Sequence, residues 1–206
     1  EIVAIAVGYR PDTADLGLEE AGVASVKGAI QANQHMETNV PGIYAVGDCI
    51  GKIMLAYIAM TEGEVAADNA MGKDTCMDYN VVPRCVYLMP ELAAVGLTEA
   101  DAASNGFQVK VGKFPFAANG MAAILGERRG MVKIVTDAKT GQILGVHIVG
   151  PRATDLIAEA TLAMKLELTA EEIIATIHSH PSLCEAVREA ALDISGEMIH
   201  FISRKK

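Results

Sequence analysis

GMVKIVTDAKTGQILGVHIVG, residues 130–150, holds two apolar runs on either side of a short polar stretch. Met131–Thr136 and Ile143–Val149 are rich in Val and Ile, which suit a pleated surface. Asp137–Gly141 has the composition of a tight turn. The stretch therefore reads as two antiparallel strands. Upstream, Val109–Phe116 and Ala122–Leu125 are predicted as further strands of the same sheet, and Cys85–Leu88 and Leu92–Val95 as shorter ones. Thr98-Glu99-Ala100-Asp101 opens a short helix with Thr98 as its cap. Downstream, helices are predicted over Ala153–Lys165, Ala170–Ile177 and Ser182–Asp193. Thr169-Ala170-Glu171-Glu172 carries an N-cap signature before the middle one. Strands followed by packed helices predict an α+β domain from about residue 80 onward.

The preceding stretch has a different texture. Val3–Val7 is a continuous apolar run closed by Gly8 and reads as a buried strand. Ile30–Ala32 and Ile43–Val46 read as further short strands. Leu55, Ile58, Ala59, Val65, Ala66 and Ala70 form one apolar stripe of a helix from about Ile53 to Met71, with Gly72 as its stop. Residues 72–82 are polar and irregular and read as a linker. The first residues enter an apolar run directly, which reads as a cut edge rather than a natural start, with no secretory leader.

Bulk properties narrow the function. The formal charge of -9 argues against nucleic acid, whose phosphates would be repelled. No apolar stretch approaches the ~18 residues of a membrane span. The 4 cysteines, Cys49, Cys76, Cys85 and Cys184, include no CxxC pair, so neither a zinc site nor a redox dithiol is readable. Scattered thiols suit a reducing compartment, and each is expected to be a small buried hydrophobe.

Two stretches carry chemistry. In PGIYAVGDC, residues 41–49, Gly47 lets a ligand approach the backbone. Asp48 then stands where open α/β sheets bind ligands, and its carboxylate suits two hydroxyls of a polyol. The helix that follows offers free N–H groups near Met54, Leu55 and Ala56, suited to a carbonyl or an anionic ring nitrogen. The plainer reading is a strand-to-helix turn capped by Asp48. In HSHPSLCE, residues 178–185, Pro181 begins a helix and Glu185 lies about one turn in, able to reach back to His180. A carboxylate on one ring nitrogen leaves the other free to take a proton. The plainer reading pairs Glu185 with Arg188. His178 reads as a polar loop residue, His147 as a core or interface residue, and His35 and His200 as solvated.

Together these stretches resemble the flavoprotein disulfide reductases, most closely their dihydrolipoamide-oxidising branch. The resemblance runs through AVGYRPDT (6–13), LGLEEAGV (16–23), TNVPGIYAVGDC (38–49), MLAYIAMTEG (54–63), PELAAVGLTE (90–99), FPFAANGMA (114–122), TGQILGVHIVGPRATDLIAE (140–159) and HSHPSLCE. It implies that residues 1–26 end an NAD-binding domain, 27–77 are the second segment of an FAD-binding domain, and 80–206 are the interface domain of a homodimer. It implies that Asp48, following Gly47, binds the ribityl hydroxyls of FAD. Met54, Leu55 and Ala56 would face the flavin pyrimidine edge. His180, held by Glu185, would deprotonate dihydrolipoamide or a lipoyl domain in the partner subunit's site, with electrons passing through a disulfide and FAD to NAD. A 2-oxo acid dehydrogenase complex and a cytoplasmic or organellar location are the expected setting.

The family's CxxxxC pair and both GxGxxG loops are expected upstream, so the chain reads as a carboxy-terminal portion that is inactive alone. Tyr9, Tyr57, Met121 and Cys184 depart from the family pattern, the first three at flavin-side and interface positions. A glutathione reductase-like flavoprotein is the nearest alternative, and a cofactor-free dimerisation module is the other. Mercuric reductase is disfavoured because no Cys follows Cys184. No metal site is expected.

Overall fold

The computed structural model describes residues 2–201 and divides into two compact units between Tyr79 and Asn80. In the first unit, β1 (Ser25–Val26) and β2 (Ala29–Ile30) form a short antiparallel pair. Lys27 and Gly28 turn the chain between them with φ of 52° and 82°, as a tight hairpin requires. One bridge joins Glu37 to Tyr44, a 3-10 turn spans Gly47–Ile50, and α1 spans Ala56–Ala70. At the end of α1, Gly72 N–H donates to Asn69 O and Lys73 N–H to Asp68 O, both at 2.9 Å. This Schellman closure is the stop that Gly72 predicts, with φ of 83°.

Several expectations for this unit are corrected. Val3–Val7 and Ile43–Val46 are not strands. Val3, Ile5 and Val7 are exposed, and among the described residues no strand pairs with them. An apolar run becomes a strand only where neighbours take its N–H and C=O groups. Ile30–Ala32 contributes only its first residue, to β2. Helix α1 begins at Ala56, later than predicted. Residues 72–82 are not a free linker: Met77 is buried and its N–H donates to Gln34 O at 2.9 Å.

The second unit is an antiparallel sheet of 5 strands in the order β3-β4-β7-β6-β5. The strands are β3 (Arg84–Val86), β4 (Glu91–Gly96), β5 (Val109–Pro115), β6 (Met131–Asp137) and β7 (Ile143–Gly150). The hairpin β6–β7 closes through Gly141 N–H to Asp137 O at 2.8 Å, with the Thr140 hydroxyl on the Asp137 carboxylate at 3.0 Å. Between β4 and β5, α2 (Glu99–Ser104) starts in a full capping box of Thr98 and Asp101. The predicted strand at Ala122–Leu125 is instead α3 (Gly120–Leu125). Asn119 caps it by accepting from Ala122 N–H at 2.9 Å, and Gly126 ends it with φ of 75°. Four apolar residues carry too little periodicity to separate strand from helix, and the cap decides.

Alternation along the strands builds the core. Ala93, Ile148, Val132 and Phe114 form one cross-strand row, and Val95, Val146, Ile134 and Gly112 the next. The side chains of both rows are buried. This face is covered by α4 (Ala153–Lys165) and α6 (Glu185–Asp193), with α5 (Ala170–Ala175) packed on α6. Thr169 and Glu172 form the predicted capping box of α5. Helix α5 ends before Ile177, and α6 starts at Glu185 rather than Ser182, so Pro181 lies outside it.

The opposite face is covered at one end, where Ala102 of α2 buries Val135 and Leu144, and is open at the other. Val86, Leu92, Val149 and Met131 share one row across four strands and are 44%, 40%, 36% and 44% exposed. Beside it run Arg84, Ala94, His147 and Lys133. Burial and the neighbouring Lys133 hold the His147 imidazole below its ordinary range.

Glycine at position 112 sets the position of α6. A Cβ there would lie 1.9 Å from Ala190 O and 2.8 Å from Ile194 Cγ1, so the helix rests directly on the strand backbone. Gly112→Ala is expected to cost about 3 kcal/mol, through overpacking that no rotamer relieves. Urea denaturation of the variant against the parent checks this.

Candidate functional site

Two groups of residues were singled out by the sequence, one in each unit. In the second unit, α6 begins at Glu185, and the loop before it is held from several sides. Leu183 is buried in the main core. The Ser182 hydroxyl donates to Ser179 O at 2.6 Å and lies 3.0 Å from Cys184 Sγ. Asn119 Nδ2 donates to Ser182 O at 2.9 Å, so the side chain that caps α3 also fixes this loop. Glu185 then reaches both ways: Oε2 accepts from Ser182 N–H at 2.9 Å, and Oε1 lies 2.8 Å from His180 Nδ1.

A carboxylate only accepts, so His180 Nδ1 carries the hydrogen and the neutral ring presents Nε2 as a base. The His180 side chain is 77% exposed and that of Glu185 23%. Burial alone would raise the Glu185 pKa. The bonds from His180 and Ser182, with the charges of His180 and His200, outweigh it and hold the carboxyl below its ordinary range. The arrangement is a fixed imidazole with one nitrogen offered outward.

Arg188 does not pair with Glu185; its Nε donates to Ile174 O at 3.0 Å. Two other histidines are also paired with carboxylates. His178 lies 2.9 Å from Glu159 Oε1 with its side chain only 5% exposed, so it is an inward structural group rather than a loop polar residue. His200 lies 2.8 Å from Glu189 Oε1, and the buried Glu189 also accepts from Ile199 N–H and His200 N–H. His178, His200, Glu185 and Arg188 line one shallow cleft. His200 is exposed, as expected, and is in addition held by Glu189.

In the first unit, Asp48 sits in the 3-10 turn and is exposed, with its main-chain O accepting from Gly51 N–H at 3.1 Å. Gly47 has φ of 73° and is buried. Its N–H donates to Glu62 Oε2 at 2.6 Å. Leu55 precedes α1, and its N–H is taken by Ile53 O at 2.9 Å, so it is not one of the free groups expected there. Met54 is half-buried and Ala56 is the first helical residue. Sequence reasoning missed Glu62, although its place between Ile58 and Ala66 on the apolar face of α1 marks it as buried.

His35 is only partly solvated: its side chain is 38% exposed and Nδ1 lies 3.0 Å from Thr75 O. Among the four cysteines, Cys76 is exposed and the others are half-buried, so none is the buried hydrophobe expected. Among the described residues no cluster of His, Cys, Asp or Glu suits a metal, and no helix is long and apolar enough to cross a membrane.

The second unit is thus an α+β unit that presents a carboxylate-fixed imidazole at a helix start, an arrangement able to take up a proton. Its sequence matches the model of the pyridine nucleotide-disulphide oxidoreductase dimerisation domain over residues 82–191, and residues 1–63 match the pyridine nucleotide-disulphide oxidoreductase model. The chain belongs to the pyridine nucleotide-disulphide oxidoreductase family. It is 50% identical over 203 residues to a dihydrolipoyl dehydrogenase of Thermus scotoductus, covering 98% of this chain and 44% of the relative. It is 45% identical over 202 residues to one of Bacillus subtilis, covering 98% of this chain and 43% of that protein. The chain thus spans less than half the length of these curated relatives. Among solved structures, LpdA of Mycobacterium tuberculosis matches with a TM-score of 0.84 and 30% identity, covering 91% of this chain and 41% of that one. The HOCl-induced flavoprotein disulfide reductase RclA of Escherichia coli matches with a TM-score of 0.85 and 30% identity, covering 90% and 43%.

Because the Glu185 pKa is depressed, its pairing contributes stability above the ordinary carboxylate range, and the contribution is lost as pH falls through the folded-state value. Glu185→Gln is expected to lose about 1 kcal/mol at neutral pH. The gap to the parent should close in acid, as read by denaturation at a series of pH values.

Proposed function

We propose that this chain is the carboxy-terminal portion of an enzyme that oxidises dihydrolipoamide to lipoamide, passing electrons through a disulfide and FAD to NAD. The observation that carries this reading is the 2.8 Å bond from His180 Nδ1 to Glu185, with the ring exposed. The 50% identity to a dihydrolipoyl dehydrogenase supports the choice of substrate. On this reading residues 1–26 end the NAD-binding domain, residues 27–77 belong to the FAD-binding domain, and residues 80–206 form the interface domain.

His180 Nε2 takes the proton of a substrate thiol: the S–H bond breaks, an N–H bond forms, and Glu185 stabilises the resulting imidazolium. The thiolate then attacks a redox disulfide supplied from outside this stretch, since no CxxxxC pair occurs in the sequence. Asp48 fits a polyol: an exposed carboxylate follows a buried glycine turn, able to accept from two ribityl hydroxyls. Met54 and Leu55 before α1, and Ala56 at its start, would face the pyrimidine edge of the flavin. When bound, FAD supplies the two-electron relay between the disulfide and NAD. The setting is a 2-oxo acid dehydrogenase complex in the cytoplasm, or in an organelle matrix of a eukaryote.

The partner is a second copy of this chain, which brings His180 to the other copy's disulfide. The half-exposed apolar row of Val86, Leu92, Val149 and Met131 supports self-association, and the dimerisation-domain match covers these strands.

In the full-length enzyme, His180→Ala is expected to lower dihydrolipoamide oxidation by at least about a hundredfold, as loss of a general base does. Reduction of artificial acceptors by NADH should persist. Steady-state assays with both acceptors decide, and equal loss in the two rejects the base role. Met131→Asp is expected to weaken the dimer by about thirtyfold, the effect of losing one interface anchor. Sedimentation equilibrium reads it, and a monomeric parent at micromolar concentration would contradict the dimer.

A further inference from the structure

Glu62 is 1% exposed and serves no step above. Its carboxylate takes two donors: Gly47 N–H on Oε2 and the Tyr79 hydroxyl on Oε1, each at 2.6 Å. Two close donors offset the cost of burying the charge. Tyr79 is kept a protonated donor by burial first, then by its bond to Glu62 and that carboxylate's charge. Lys52 Nζ also lies over the Tyr79 ring, 5.1 Å from its centre.

The same helix face meets Gly47 a second time. A Cβ on Gly47 would lie 3.0 Å from Ala59 Cβ, so α1 sits against the turn through Ala59 and grips its N–H through Glu62, one turn on. Asp48 is exposed and takes its place from the Gly47 peptide that precedes it. Helix α1 also carries, at its first residue Ala56, the end read above as the flavin edge contact.

We propose that Glu62, oriented by Tyr79, is a positioning residue that fixes the ribityl-binding Asp48 turn to the same rigid helix whose start faces the flavin ring. The inference rests on the FAD reading above. A glutamine would keep the volume but turn an NH2 toward one of the two donors, releasing either the turn or the phenol.

The test uses the full-length flavoprotein, stripped of cofactor and titrated with FAD by flavin fluorescence. Glu62→Gln is expected to bind FAD about tenfold more weakly, equivalent to about 1.4 kcal/mol, and to shift the bound flavin's absorption band. Tyr79→Phe is expected to show the same changes in smaller degree. Ala66→Gly, on the same face of α1 but touching neither donor, serves as a control for general loosening and should leave FAD affinity within about twofold, the scale of a change with no lost partner. Unchanged affinity in Glu62→Gln overturns the proposal, as does an equal loss in Ala66→Gly. If Glu62→Gln does not fold, Tyr79→Phe decides by the same criterion. Asp48→Asn separates the two levels. Unchanged affinity there rejects the FAD reading itself, whereas a loss there with none in Glu62→Gln rejects only the role of Glu62.

Discussion

The second unit depends on a helix lying directly on strand backbone. Glycine at position 112 leaves room for Ala190 O of α6, and no other residue type would. That close approach places Ala186, Val187, Ala190 and Ala191 in the core and sets where α6 starts. Glu185 is the first residue of the helix, so its carboxylate inherits a fixed position from the packing behind it. His180 is oriented in turn by that carboxylate. The chain of cause runs from a missing side chain in a strand to the tautomer of an exposed imidazole.

The first unit follows a related logic with a different bond. There a buried charge, rather than close packing alone, joins a helix to a turn. Glu62 is expensive to bury and is kept satisfied by Gly47 and Tyr79. Burial of this kind specifies an arrangement more than it stabilises one. It also explains why residues 75–79 return to the first unit instead of running on as a linker: Tyr79 is needed there as a donor.

Legibility in the sequence followed the range of the interactions. The β6–β7 hairpin was readable because alternation and turn chemistry are local, and so were the Thr98 and Thr169 caps. The His180–Glu185 pairing was readable because both partners lie within one loop and helix start. His178 and His200 were not, because Glu159 and Glu189 are distant in sequence and only folding brings them close. The run Ala122–Leu125 was misread as a strand because its cap, Asn119, lies outside it. Val3–Val7 carries a strand's composition with no pairing neighbour among the described residues. The burial of Glu62 was legible from its place between Ile58 and Ala66, but its role was not, because its donors Gly47 and Tyr79 are distant in sequence.

Asn119 belongs to two elements at once. Its oxygen starts α3 and its amide holds Ser182, next to the carboxylate that orients His180. The two duties share one planar group, so neither can be adjusted without the other. Sequence drift at Asn119 is therefore felt at the imidazole, through Ser182. Tolerance to change should be narrowest at Asn119, where burial and two bonded neighbours act together.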